Sequence, residues 1–477
     1  MKRHIAALVA SAALLGACHD ATGVPDLNNV SSETLAGALT TSGAQLMVTG
    51  LFNQYRNSAI GNYYTFPETM ARDALRIDKA ETRYLTEMIG NVQPDNGAFT
   101  GQGIYTGFFI GIRSANTLVD AVNAATDASG LNAAQRSALV GLGQTMKALN
   151  YWNLMESRDS VGMPIDLDHD INADPAPWVC KKDVLAYISA LLDSAATALG
   201  SASATFPVVI PAGYKAVAGT PAGFLKFNKA IKAKVELYRG LSSASQGGTG
   251  ATGFNNAVTA LNASFMQSTD LSASGLALGV YENYSTAPGE TTNSLVDAAL
   301  HLNQSVADSI QAGDLRASKL IKAAAPYTIT TGGATISTQY DFVWSVGGTS
   351  LTHNNPIIKN EELLLLRAQA AIELNDLATA TTYLNYVRQN SGGLAPYALF
   401  TSQAAARNAL LYEKRYSLLM EGPQRLLDLR AYGRLNATSF LPGTASSPFP
   451  GDKFNSVLPI PINELNARGG SAPMICP

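Results

Sequence analysis

The chain has 477 residues, 46% of them hydrophobic and 14% charged, with a formal charge of −3. That length is ample for a large core and exceeds what one minimal domain requires. A near-neutral balance with no basic run or stripe argues against nucleic acid as a partner.

At the N-terminus, Lys2 and Arg3 precede an apolar run from Ile5 to Ala17. The run falls within the roughly 7–15 residues of a signal-peptide core and short of the about 20 that a spanning helix needs. It ends Leu14-Leu15-Gly16-Ala17-Cys18, and small residues before a cysteine resemble the lipobox of bacterial lipoproteins. Residues 1–17 are therefore expected to be a lipoprotein signal, Cys18 the lipidated residue, and 18–29 a polar tether. Several acyl chains on one residue anchor a protein stably. No later segment is expected to span a membrane, so the chain reads as anchored to one. Cys180 and Cys476 remain. An exported chain permits a disulfide between them; two inert thiols are the alternative, and spacing does not choose.

Apolar residues at spacings of three and four then predict helices, mostly in pairs. Ser42 to Arg56 is the first, with Leu46, Leu51, Phe52 and Tyr55 on one stripe. Phe108–Val122 pairs with Leu131–Glu156, where Ala148, Tyr151 and Trp152 face inward. Val184–Leu199 pairs with Phe224–Tyr238, Ile357–Leu374 with Ala378–Val387, and Ala404–Met420 with Gln424–Tyr432. Small Ala residues let paired helices approach, and each pair must stack on the next to bury its face. Two stretches break the pattern: Ser201–Pro221, and Gly240–Pro356, which is rich in Gly, Ser, Thr and Asn. Loops of that length are usually functional or disordered. The expectation is a mostly α chain: a tetratricopeptide-like helical-repeat scaffold with a loop-rich, irregular ligand-facing subdomain, forming one domain over 30–477.

Exposed aromatic rings with polar neighbours are what a sugar-binding surface requires. Two regions supply them. One runs from Arg76 to Phe99 and offers Tyr84, Asn91 and Phe99; the other offers Tyr281, Tyr284, Tyr340 and Trp344. Tyr63, Tyr64 and Phe66 are read as packing residues. Asp166-x-Asp168-x-Asp170 opens like a calcium loop, but Ile171 and Pro177 stand where such a loop needs Gly and a bidentate Glu. Calcium in another geometry stays open, and no other cofactor is expected. Zinc-type His-Glu-x-x-His, Gly-x-Ser-x-Gly and phosphate-loop motifs do not occur.

From Asp314 onward, several short motifs follow one another in a telling order. Asp314-x-Arg316 comes first, then Lys359, Glu362, Leu364 and Leu365. The block Glu413, Arg415, Glu421, Gly422, Arg425, Asp428, Leu429 and Gly433 follows, and Pro459-Ile460-Pro461 with Glu464 closes the run. Together these resemble the SusD/RagB family of outer-membrane nutrient-binding lipoproteins. Lys359, Gln369 and Ser417 depart from residues usual there, which puts buried ion pairs in doubt. The charges of Glu413, Arg415, Glu421, Arg425 and Asp428 are expected to lock two adjoining helices together through bidentate pairs. The resemblance implies a non-catalytic protein on the outer surface of the outer membrane. It would capture an oligosaccharide or peptide and pass it to a TonB-dependent transporter. A free-standing helical-repeat scaffold for a protein partner and a secreted hydrolase are the alternatives.

Overall fold

The computed structural model describes residues 39–59, 62–90, 92–97, 103–167, 174–343, 351–436 and 452–470. Its scaffold begins with α1 (Thr41–Ala59) and α2 (Asn62–Met70), followed by a short strand β1 (Ala74–Arg76). Then come α3 (Gly103–Ala124), α4 (Ala133–Arg158), α5 (Lys181–Gly200), a short α6 (Ala212–Ala218), α7 (Pro221–Leu241) and α8 (Ala251–Asn262). Successive helices pack on one another: α1 on α3, α3 on α4, α4 on α5, α5 on α7, and α7 on α8. Local chemistry starts them. Asn132 and Gln135 form a reciprocal capping box at α4, satisfying two amide donors that a bare helix end leaves orphaned. Thr220 caps α7 and Pro221 occupies its first turn, where the missing N–H costs nothing.

α4 is the centre of the stack. Every residue from Thr145 to Arg158 is buried, as expected of a helix surrounded on all sides. Its polar residues therefore need internal partners. Asn153 donates to the Tyr55 hydroxyl at 3.0 Å, and Trp152 Nε1 donates to Glu156 at 2.7 Å. The Lys234 ammonium lies between Glu156 at 3.3 Å and Glu362 at 3.1 Å.

Part of Gly240–Pro356, read from the sequence as irregular, is regular. It opens with α8, whose Phe254, Ala257 and Leu261 are buried against α7 and the later helix α9 (Asn360–Glu373). It continues with β2 (Gly279–Glu282), β3 (Leu300–Leu302), β4 (Leu320–Thr331), β5 (Ala334–Phe342) and β6 (Asn355–Lys359). β1, β3, β5 and β4 form an antiparallel sheet in that order, and β2 pairs with β6. The β4–β5 hairpin turns at Gly332 and Gly333, with φ of +57° and +80°; a two-residue turn with both φ positive matches the twist of the flanking strands.

After α9 come α10 (Leu377–Asn390), α11 (Gln403–Ser417), α12 (Gln424–Ala431) and a short α13 (Ile462–Ala467). α9, α10 and α11 pack mutually around a second apolar cluster that includes Leu364, Leu384 and Leu410. The main core runs from Leu39 to Ile460. α5 corrects one expectation: it is long and apolar enough to cross a membrane. Here it lies between α4 and α7, burying Val184, Ile188, Leu192 and Leu199.

Candidate ligand-binding site

Arg76 ends β1, which pairs with β3 in the register Arg76↔Leu300 and Ala74↔Leu302. Leu302 also pairs with Tyr340 of β5. Cross-strand partners share a face and alternate residues return to it. Arg76, Leu300, Leu302 and Tyr340 therefore lie on one face; Leu300 and Leu302 are buried in the core there, and Tyr340 packs against it. Arg76 and Tyr340 stand two strand spacings and two residues of register apart, about 12 Å.

The guanidinium of Arg76 is fixed from three sides. It forms ion pairs with Asp297 and, at 3.2 Å, with Asp78. Its carbon lies 4.4 Å from the centroid of the Tyr84 ring, within cation–π range. Tyr84 in turn packs on Phe66, with centroids 5.5 Å apart, and its hydroxyl donates to Asn62 at 3.3 Å. Both acids are set by local turns, because Asp78 accepts from Ala80 N–H and Asp297 from Ala299 N–H, each at 2.9 Å. Burial raises the Tyr84 hydroxyl above its ordinary pKa although Arg76 opposes this, so it stays a donor. The result is a half-buried cluster of Arg, Tyr and two carboxylates, able to donate to and accept from hydroxyl groups. Asp297 and Asp78 were missed in the sequence; their signal was only the turn pattern of an acid two residues before an amide.

The other candidates distribute differently. Tyr281 and Tyr284 belong to the β2–β6 region, a separate sheet. Tyr284 is only 5% exposed and accepts from Asn355 at 3.5 Å; it is a framework residue, contrary to its selection as a surface ring. Tyr281 is half-buried, donates to the Ala277 carbonyl, and burial pushes its hydroxyl up to about 12. With Arg56, Tyr214 and Glu282 it lines a small cavity of about 30 Å³. Asn91, Phe99, Trp344 and Cys18 lie outside the described residues, as do Asp168 and Asp170. Among the described residues no group of three metal-ligating side chains occurs. Cys180 is disulfide-bonded, and Cys476 lies outside the described residues.

The charged block after α10 is largely buried, and its five charges pair with groups outside the block. Arg415 and Arg425 both reach back to Asp73, at 2.7 and 3.0 Å. Glu413 holds Arg316 at 2.7 Å and Arg388 at 3.0 Å. Glu421 holds Lys359 at 2.7 Å, and Asp428 holds Lys414 at 2.8 Å. Lys414–Asp428 joins α11 to α12 directly and Asp73 bridges the two, while the remaining pairs tie them to distant parts of the chain. Arg316 also grips Asp314 through two parallel bonds of 2.9 and 2.7 Å. The three departures keep their contacts. Lys359 is paired, Gln369 accepts from Lys414 at 3.0 Å and donates to Asp428 at 3.1 Å, and Ser417 accepts from Arg316 at 2.9 Å.

No protein-family model matches the chain, and no curated protein matches it. Solved structures do. The chain is similar to a SusD superfamily protein from Parabacteroides distasonis, at 14% identity and TM-score 0.67, over 93% of this chain and 98% of that one. A SusD superfamily protein from Bacteroides fragilis matches at 16% identity and TM-score 0.66, over 90% and 98%. Surface glycan-binding protein A from Bacteroides uniformis matches at 16% identity and TM-score 0.65, over 91% and 99%. The chain has the SusD fold, mostly α with a tetratricopeptide-like scaffold, as the sequence motifs imply.

Proposed function

We propose that this chain, built on the SusD fold, is a cell-surface lipoprotein that captures an oligomeric nutrient, a glycan in preference to a peptide. It then delivers the nutrient to a TonB-dependent outer-membrane transporter. The observation that carries the reading is the SusD-like fold over nine-tenths of the chain, joined to a lipobox-like Leu-Gly-Ala-Cys at its N-terminus. Lipid on Cys18 holds the protein at the outer membrane, and the polar tether to Asn29 gives it reach. A glycan-binding neighbour favours carbohydrate. Binding and hand-over need no bond made or broken, so no residue is assigned a catalytic role.

The ligand surface is the half-buried cluster of Arg76 and Tyr84 at the end of β1, with Tyr340 two strands away; Asn91, Phe99, Tyr281 and Trp344 are proposed to complete it. Arg76 donates to sugar hydroxyls and Asp78 and Asp297 accept from them, each exchanging a bond to water for one to ligand. Such pairs add about 0.5–1.5 kcal/mol each, more where a charge takes part. A glycan array followed by calorimetry on the best binder tests this. Arg76→Ala is expected to weaken binding about tenfold or more, with the melting temperature nearly unchanged. Unchanged affinity in both Arg76→Ala and Tyr84→Ala would move the site elsewhere.

A further inference from the structure

A cavity of about 540 Å³ opens where the C-terminal ends of α4, α7 and α12 meet the start of α5. That volume lies within the range of small-molecule sites. It involves none of the residues assigned to the ligand surface above. Trp152, Asp159, Lys181, Tyr238, Gln246 and Arg430 line it, among leucines and serines.

Its charges are matched internally. Lys181 donates to Asp159 at 2.6 Å and to the Gln246 amide oxygen at 3.2 Å. Burial, which would raise the Asp159 carboxyl, is outweighed by Arg430 and Lys181, which hold it below the usual range. Arg430 spends two nitrogens on carbonyls, donating to Glu156 at 2.7 Å and Ser456 at 3.0 Å. A charged ligand would have to break one of these pairings, whereas a neutral one need not.

Donors are left over. The buried Nε of Arg430 has no hydrogen-bond partner. The Gln246 amide nitrogen makes no hydrogen bond among the described residues, although its oxygen is held by Lys181. One buried unpaired donor and one solvent-reachable amide beside it, in a half-apolar cavity, favour a ligand that carries acceptors. Asp159 also has φ of +46°, uncommon for a residue with a side chain and a pointer to function where it borders a site.

We infer that this cavity is a second binding site, for a neutral polyhydroxylated molecule of monosaccharide to disaccharide size. Its hydroxyl and ring oxygens accept from Gln246 and Arg430. Its own hydroxyls donate to Asp159, and its apolar face rests on the leucine wall. The site stands apart from the sheet face of Arg76, and either can fail without the other.

The test is calorimetry and saturation-transfer NMR on the whole protein, with glucose, galactose, mannose, maltose and cellobiose. Galacturonate serves as the charged comparison. Variants are Gln246→Ala, Lys181→Gln and, as a control on the other face, Tyr84→Ala. The expected result is one-to-one binding of at least one neutral sugar, weakened at least fivefold in Gln246→Ala and Lys181→Gln and kept in Tyr84→Ala. Two results overturn the inference: no neutral sugar bound at about 10 mM, a very weak affinity, or binding that Tyr84→Ala removes and Gln246→Ala leaves intact. A preference for galacturonate would also contradict it. Gln246 is half-exposed, so its variant is expected to fold, and a melting curve checks that.

Discussion

Asp73 faces two guanidiniums, those of Arg415 and Arg425, from a position 1% exposed. Removing it strands both cations in the interior, where an unpaired buried charge costs about 3–5 kcal/mol. Arg425→Ala is milder, because Arg415 still neutralises Asp73. Urea unfolding is expected to rank Asp73→Ala well below Arg425→Ala in stability, and Arg425→Ala below the parent. Ligand affinity in Arg425→Ala should stay unchanged; a loss of affinity at constant stability would contradict a structural role. Glu282 offers a pH test. It is fully buried and accepts from the Tyr214 hydroxyl at 2.9 Å. Burial raises its carboxyl to about 7, opposed by the Tyr214 hydrogen bond and Arg56. The folded protein therefore keeps a proton that the unfolded chain releases near pH 4.5. Stability falls as pH rises from there to about 7. Glu282→Gln keeps the acceptor without the charge. It should match the parent at pH 4 and exceed it at pH 8, by about 2–3 kcal/mol at most. Equal pH profiles for the two proteins would contradict the assignment.

At the scale of elements, the helices were legible because their apolar residues recur at three and four, and those stripes are largely buried; Leu46, placed on the first stripe, is instead 74% exposed, and Ala44 and Val48 are buried in that turn. α8 was hidden by its neighbours. Phe254, Ala257 and Leu261 keep helical spacing, but Gly, Thr and Asn around them read as loop. The β4–β5 hairpin carried a signal as well, β-branched Thr and Ile alternating around Gly332-Gly333. Read as composition, it looked like coil. The most distant partner of the charged block was not legible, since Asp73 and Arg415 are 342 residues apart and no local pattern relates them. Glycine separates helix contact from exposed helix face. A Cβ on Gly253 in α8 would meet the Glu236 carbonyl oxygen and the Gly240 Cα of α7, both at 2.8 Å. A Cβ on Gly50 in α1 meets nothing within 4 Å. Gly253→Ala should cost about 1–3 kcal/mol by forcing two backbones apart. Gly50→Ala should be neutral or stabilise by up to about 1 kcal/mol through helix propensity. Chemical unfolding of both variants checks the contrast, and a destabilised Gly50→Ala would contradict it.

For the whole molecule, the fold and the candidate site were unequally legible. The order of motifs from Asp314 to Glu464 pointed to the SusD fold that the structure has. The ligand surface depends on which strands pair, and β1, β3 and β5 come from positions 74 to 342. Arg76 and Tyr340 could be chosen from the sequence as residue types, but only the register places them on one face. Tyr284 was chosen by the same criterion and is core, because a ring beside Asn and Glu reads alike whether it faces solvent or packs. Delivery to a transporter is the step on which the proposed function turns. The first measurement is to solubilise the protein gently from its native membrane and identify what co-purifies by mass spectrometry. A TonB-dependent barrel in near-equal amount is the predicted result. A protein that leaves the membrane without lipid, or one that brings down only a soluble partner, would contradict the claim.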